Sequence, residues 1–213
     1  MTNRILCSLF LAVVLAVAAK ADPVYSINVT VPSDRTKLGT LELLGPGGSV
    51  LAGPFWIYAK ADNKTAKTNG NATRSPTQPY GDTPTGTFNI TALSPSGPGT
   101  AYSDAGKFGP NGVFKLDPTG GQAATAKANG RTGLLIHGGD LRPSPLVNGM
   151  TLRPTNGCIR MSNDDLLALA GAIQSNATAY PIALEVVEGN PSGTPTFIAG
   201  ADESYDEGDP PSA

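Results

Sequence analysis

The sequence predicts a mainly β domain with one helix placed directly after a lone cysteine. Glycine and proline together number 45 of 213 residues, and aromatic side chains make up only 6%. That balance suits short strands joined by many turns rather than a helical bundle. Alternating apolar and polar runs recur between residues 25 and 187, whereas a helical apolar face is evident only after Ser162.

Residues 1–21 read as a secretory signal peptide: Arg4 is the basic start, Ile5 to Ala19 the apolar core and Ala19-Lys20-Ala21 the cleavage site. The apolar run falls short of the roughly 20 residues that span a bilayer, so no stable membrane insertion is expected after cleavage. Tyr25 to Val31 alternates and forms a first strand, ended by Pro32-Ser33-Asp34. Leu38 to Leu44 is a second, Gly45-Pro46-Gly47-Gly48 turns the chain, and Ser49-Val50-Leu51 starts the return. The apolar run Phe55 to Ala59 reads as a separate buried strand, and 60–80 as a polar surface loop. From Gly81 a turn opens into a strand reaching Ile90. Residues 93–112 form another loop, 112–116 a short strand and 117–131 a further connection, before Gly133 to His137 makes a strand. Ser162 with Asp165 three residues later is a variant capping box, and Leu166, Leu167, Leu169, Ala170 and Ile173 supply the apolar face behind it. Tyr180 to Val187 is the last strand. One domain, about 25–190, is therefore expected, with 191–213 a disordered acidic tail.

Charge excludes one class of partner. From 22 to 200 the chain carries 13 basic and 12 acidic side chains with no dense basic run, so no nucleic acid is expected to bind.

The residues that carry chemistry lie close together in sequence. His137 is the only histidine, and Cys158 is the only cysteine left once the signal, with Cys7, is removed. An exported chain with one thiol forms no internal disulfide, which leaves a reactive thiol, an intermolecular link or an inert buried cysteine. A thiol attacks as thiolate, so it needs a base such as His137, and a helix N-terminus nearby favours the anion. On this reading Cys158 is expected to react with iodoacetamide well below the pH that a free thiol needs. Gly157 lets backbone approach a substrate, and the amides around Gly157 and Cys158 suit a developing oxyanion. Arg160 suits either a substrate carboxylate or a surface acid. One histidine and one cysteine are too few for a metal site, and no cofactor is expected. The chemistry that follows is acyl transfer through a thioester, with the acceptor left open.

His137-Gly138 and the run Thr155-Asn156-Gly157-Cys158-Ile159-Arg160-Met161-Ser162-Asn163-Asp164, with 17 residues between His137 and Thr155, resemble the YkuD-type L,D-transpeptidase family. Thr83-Pro84-Thr85-Gly86-Thr87-Phe88 is similar to a further segment of those domains. The resemblance covers about 38–188. It implies a β-sandwich or barrel-like catalytic domain in the periplasm, cell wall or secreted space, with peptidoglycan stem peptides as substrate. Carried over, Cys158 is the nucleophile, His137 the base and Arg160 a residue that positions substrate or loop. Gly157 and Asn156 fall beside the oxyanion, and Tyr80 and Thr83 lie on the donor side. Asn156 stands where the family often has histidine, and 93–131 is longer than a minimal domain needs. Two other functions use or retain the same motif: an L,D-carboxypeptidase or wall-damaging hydrolase, and a non-catalytic wall-binding domain.

Overall fold

Alternation in the first strand is obeyed side chain by side chain: Ile27, Val29 and Val31 point inward while Ser26, Asn28 and Thr30 face outward. The computed structural model describes residues 25–139, 141–144, 149–176 and 180–191. The expected signal peptide at 1–21, Asp140 and all but Pro191 of the expected tail at 191–213 lie outside the described residues. The elements in chain order are β1 (Ser26–Val31), β2 (Gly39–Leu44), β3 (Val50–Tyr58), α1 (Asn63–Thr68), β4 (Gly86–Ser94), α2 (Ala105–Phe108) and β5 (Val113–Pro118). They continue with α3 (Gly121–Ala128), β6 (Leu135–His137), β7 (Leu141–Ser144), β8 (Gly149–Leu152), β9 (Ile159–Met161), α4 (Asn163–Asn176) and β10 (Ile182–Glu188).

Eight strands close into a barrel in the order β1-β10-β4-β5-β6-β9-β3-β2, and β7 and β8 form a separate hairpin. Two pairs are parallel, β1 with β10 and β6 with β9; the rest are antiparallel. Closure leaves the barrel strands no open edge. A mainly β barrel-like domain is thus what the chain forms. Its core gathers Ile27, Leu41, Phe88, Phe114, Ile136 and Ile159 from six strands, joined by Leu166, Leu169, Ala170 and Ile173 of α4.

Strands β1, β2, β4, β5, β6 and β10 form where the sequence puts them, no strand was expected at β7, β8 or β9, and three expectations need correction. Val50 to Tyr58 is one strand, not a hairpin return followed by a separate buried run. Gly53-Pro54 reads as a breaker in sequence, but it sits where the β2–β3 register slips, and a bulge accommodates the extra residues. The segments 60–80, 93–112 and 117–131 contain α1, α2 and α3, so α4 is not the one helix. Each is short and buries little beyond alanine, which leaves no apolar stripe for periodicity to find. On α4, Ser162 caps as expected, its Oγ accepting from the Asp165 N–H at 3.0 Å, but Leu167 faces solvent at 58% exposure.

Those two leucines give a direct check on the packing. Leu169→Ala should cost about 2–5 kcal/mol, and Leu167→Ala no more than about 0.5 kcal/mol, in urea unfolding. Equal losses would mean that α4 docks through a different face.

Candidate active site

Ile136 opposes Ile159 and His137 opposes Arg160 in the parallel pair β6–β9. Both isoleucines are core, so His137, Arg160 and, by alternation, Cys158 belong to the opposite face. Cys158 lies two residues below Arg160 on the neighbouring strand. That is about 6.6 Å along the strand and 4.8 Å across, or roughly 8 Å between the Cα atoms of Cys158 and His137. Two side chains can bridge such a diagonal.

The turn that presents Cys158 is held from three directions. Thr155 closes it internally: its Oγ1 donates to the Cys158 carbonyl at 2.9 Å and accepts the Gly157 N–H at 2.9 Å. On one side the chain leaving β3 runs parallel, with Asp62 N–H donating to the Thr155 carbonyl (2.7 Å) and Thr155 N–H to that of Lys60 (3.1 Å). On another, Thr83 Oγ1 donates to the Gly157 carbonyl at 3.0 Å. From beneath comes Arg131, whose Nη1 donates to the carbonyls of Pro76 (2.5 Å) and Asp82 (2.8 Å). Its Nη2 donates to those of Gly81 (2.6 Å) and Gly157 (3.2 Å). Gly157 has φ +95°, and a Cβ there would strike Arg131 Nη2 and the Gly81 carbonyl. Glycine is required by backbone and neighbours alike.

Local sequence explains how Arg131 reaches this place. Helix α3 ends in a Schellman motif, with Gly130 N–H donating to Lys127 and Arg131 N–H to Ala126. Helix α1 ends the same way, Gly70 N–H to Lys67 and Asn71 N–H to Ala66. Asn71 Nδ2 then holds the carbonyls of Ser75 and Pro79. The two ends share the pattern Ala-Lys-x-Asn-Gly, at 66–70 and 126–130. That repeat was the readable signal for both helices, and for Arg131 as the residue that follows one of them.

His137 is 2% exposed, and its ring packs edge-on against Phe108 of α2, 5.4 Å between centroids. Nδ1 lies 2.7 Å from the Gly138 carbonyl, which can only accept, so Nδ1 carries the proton and Nε2 holds the lone pair. Burial and then the charge of Arg160 push the imidazole down to about 3, and the Gly138 and Lys107 carbonyls do not compensate. The ring is neutral at every ordinary pH.

Cys158 is half-buried, and its thiol donates to the Gly133 carbonyl at 3.7 Å rather than to His137. Desolvation pushes the thiol above its usual value, and the Leu135 amide, Arg131 and Arg160 only partly offset it. The expectation of an easily ionised thiol is therefore corrected for this resting arrangement. The helix N-terminus does not help: β9 carries the chain four residues, about 13 Å, from Cys158 to Ser162. There Asn163 Oδ1 accepts the Gly139 N–H at 3.0 Å, so α4 starts beside the loop that follows His137. Dipole effects fade within a turn.

The other expected residues fall as follows. Arg160 is 4% exposed and its Nη2 donates to the Lys107 carbonyl at 3.1 Å, so it is a buried residue and not a surface one. Thr83 is fully buried and braces the cysteine turn from below, a supporting position rather than a donor-facing one. Tyr80 is exposed, with φ +59°, next to Gly81 under the turn; Asn156 is exposed at its tip. The Gly157 N–H, expected at an oxyanion, is taken by Thr155. Sequence reasoning missed Arg131, Phe108 and the bracing role of Thr155. Among the described residues no three His, Cys, Asp or Glu side chains converge as metal ligands do.

Residues 51–198 match the YkuD family, the L,D-transpeptidase catalytic domain. Among solved structures the fold is similar to the helical cell shape determining protein Pgp2 of Campylobacter jejuni. The TM-score is 0.43 at 18% identity, over 78% of this chain and 49% of that one. It is also similar to L,D-transpeptidase 1 of Mycobacterium tuberculosis, with TM-score 0.34 and 12% identity over 76% and 62% of the two chains. The chain thus spans about half the length of Pgp2. No curated protein matches it by sequence.

The depressed imidazole has a consequence for acid stability. Unfolded, His137 takes up a proton near pH 6.5, and folded only near 3, so stability is lost as pH falls through that window. Between pH 7 and pH 4 the native protein should lose about 3 kcal/mol more than His137→Gln in urea titrations. Parallel losses in the two proteins would show that the ring is not held neutral.

Proposed function

Since the chain belongs to the YkuD family of L,D-transpeptidase catalytic domains, we propose that it is an L,D-transpeptidase acting on peptidoglycan stem peptides. Cys158 is its nucleophile and His137 its proton carrier. The observation that carries this reading is the β6–β9 register, which sets the only histidine of the chain and its half-buried thiol on one face, one diagonal apart. The substrate places the enzyme outside the cytoplasmic membrane, in keeping with the expected signal at 1–21. Among the described residues no helix is long and apolar enough to cross a membrane.

In the reaction, the Cys158 proton passes to His137 Nε2 as sulfur attacks the carbonyl between the L-centre and the terminal D-residue. The tetrahedral oxyanion is held by the Cys158 amide, because Thr155 occupies that of Gly157. Collapse breaks the C–N bond, and the departing amine of the D-residue takes the proton from His137. An acceptor amine on a neighbouring stem then loses its proton to His137 and attacks the thioester, which returns the thiol and forms a 3→3 crosslink. Arg160 holds Lys107 in place, and with it the α2 segment whose Phe108 covers the imidazole. A neutral ring of low basicity and a raised thiol do not exchange a proton readily at rest, so on this reading the bound donor changes the surroundings of both groups before attack. Tyr80, under the turn, and Asn156, at its tip, are exposed and meet the stem peptide.

Mass spectrometry of tetrapeptide muropeptides incubated with residues 22–213 tests the assignment. Dimers that vanish with Cys158→Ala, while its circular dichroism is unchanged, are the expected result. Cysteine-dependent loss of the terminal D-residue without dimers would make water the acceptor and the protein a carboxypeptidase. Persistence of dimers in Cys158→Ala would remove the thioester mechanism altogether.

A further inference from the structure

Arg131 is 3% exposed, and four of its hydrogen bonds run to neutral carbonyls, at Pro76, Gly81, Asp82 and Gly157. Among the described residues it forms no ion pair, although Asp82 makes one with Arg74 at 3.3 Å. Its Nε is buried with no hydrogen-bond partner. A guanidinium stays charged even when burial lowers it to about 10, and a buried cation without an anion is costly to hold. Carbonyl dipoles alone offset part of that cost. The ionisable groups that act on this cation are Cys158 and Asp82, and the carboxylate of Asp82 is already engaged by Arg74 and the Ala61 N–H.

We propose that Arg131 is the built-in counter-charge of the Cys158 thiolate, a positioning residue that acts on the reaction through the sulfur. It rests on the reading of Cys158 as nucleophile. In the resting thiol state the guanidinium is hydrogen-bonded only to carbonyl dipoles, with the Asp82 carboxylate, shared with Arg74, as its one ionised neighbour; when the thiol loses its proton, the Arg131–Cys158 pair becomes neutral overall inside the fold. Arg131 gives up no proton in this. Its second function is geometric: by gripping the Gly157 carbonyl and those of Gly81 and Asp82 together, it ties the cysteine turn to the segment that carries Tyr80. The charged groups facing Cys158 are Arg131, from the connection before β6, and Arg160 on β9. His137 is neutral; Asp82 acts on Arg131, and Lys107 on His137.

The test needs no substrate. In iodoacetamide alkylation the thiolate forms the C–S bond, iodide leaves, and the rate follows the thiolate fraction. Rates are measured across pH 6–11 on the full mature chain, with folding checked by circular dichroism. Arg131→Gln should move the profile up by about one pH unit, a tenfold slower reaction at fixed pH below the midpoint, while Arg131→Lys, which keeps the charge, should stay within about half a unit. Equal shifts in both, or none in either, would overturn the counter-charge. If Arg131→Gln fails to fold, Asp82→Asn decides: removing that carboxylate raises the positive field, so the profile should move to lower pH, and an unmoved profile sinks the idea. Muropeptide turnover is read separately in the same proteins. A protein inactive on muropeptides whose alkylation still depends on Arg131 would refute the transpeptidase reading and leave this one standing.

Discussion

The parallel pairing of β6 with β9 is the constraint from which the rest follows. Ile136 and Ile159 meet inside the barrel, and their burial sets a register that a slip of one residue would reverse. With those two inside, His137 and Arg160 must lie across from one another on the other face, and Cys158 must lie one diagonal below. The crossover between the strands is the β7–β8 hairpin rather than a helix. At its end Leu152 packs with Leu38, Tyr58 and Trp56, so the return to Cys158 is anchored on β3. Core packing and site geometry are thus one arrangement seen from two sides.

Around that pair the protein buries an unusual set of charges. Arg131, Arg160 and Asp82 are each under 9% exposed, and each makes hydrogen bonds to backbone. Such groups act as rivets: each joins segments far apart in sequence, Arg131 linking 76–82 to Gly157 and Arg160 linking β9 to α2. The same desolvation that makes the rivets rigid raises the Cys158 thiol and depresses the His137 imidazole. The resting site is therefore quiet.

Strands were legible because half-buried strands write their burial into a period of two, as in Ile27, Val29 and Val31. The cap of α4 was legible because Ser162 and Asp165 satisfy a backbone donor locally. Helices α1 and α3 escaped because Ala66, or Ala123 and Ala126, are all they bury, though the repeated Ala-Lys-x-Asn-Gly marks both ends. Leu167 was misplaced because one leucine too many fits a loosely drawn apolar face; only contact with the sheet distinguishes it from Leu166.

By itself, the sequence determined the β character of the domain, the places of most of its barrel strands, and the one imidazole and one thiol within it. These are properties of composition and local pattern, and no distant residue can alter them. Only the tertiary structure decided that β3 runs unbroken through Gly53-Pro54, that Thr83 is buried and braces the cysteine turn, and that Arg131 lies beneath that turn. The first depends on the pairing of Leu41 with Phe55, 14 residues apart, and the others on contacts 74 and 26 residues apart. Whether a thiol ionises readily is a matter of the water and charge around it, which no spacing along the chain encodes.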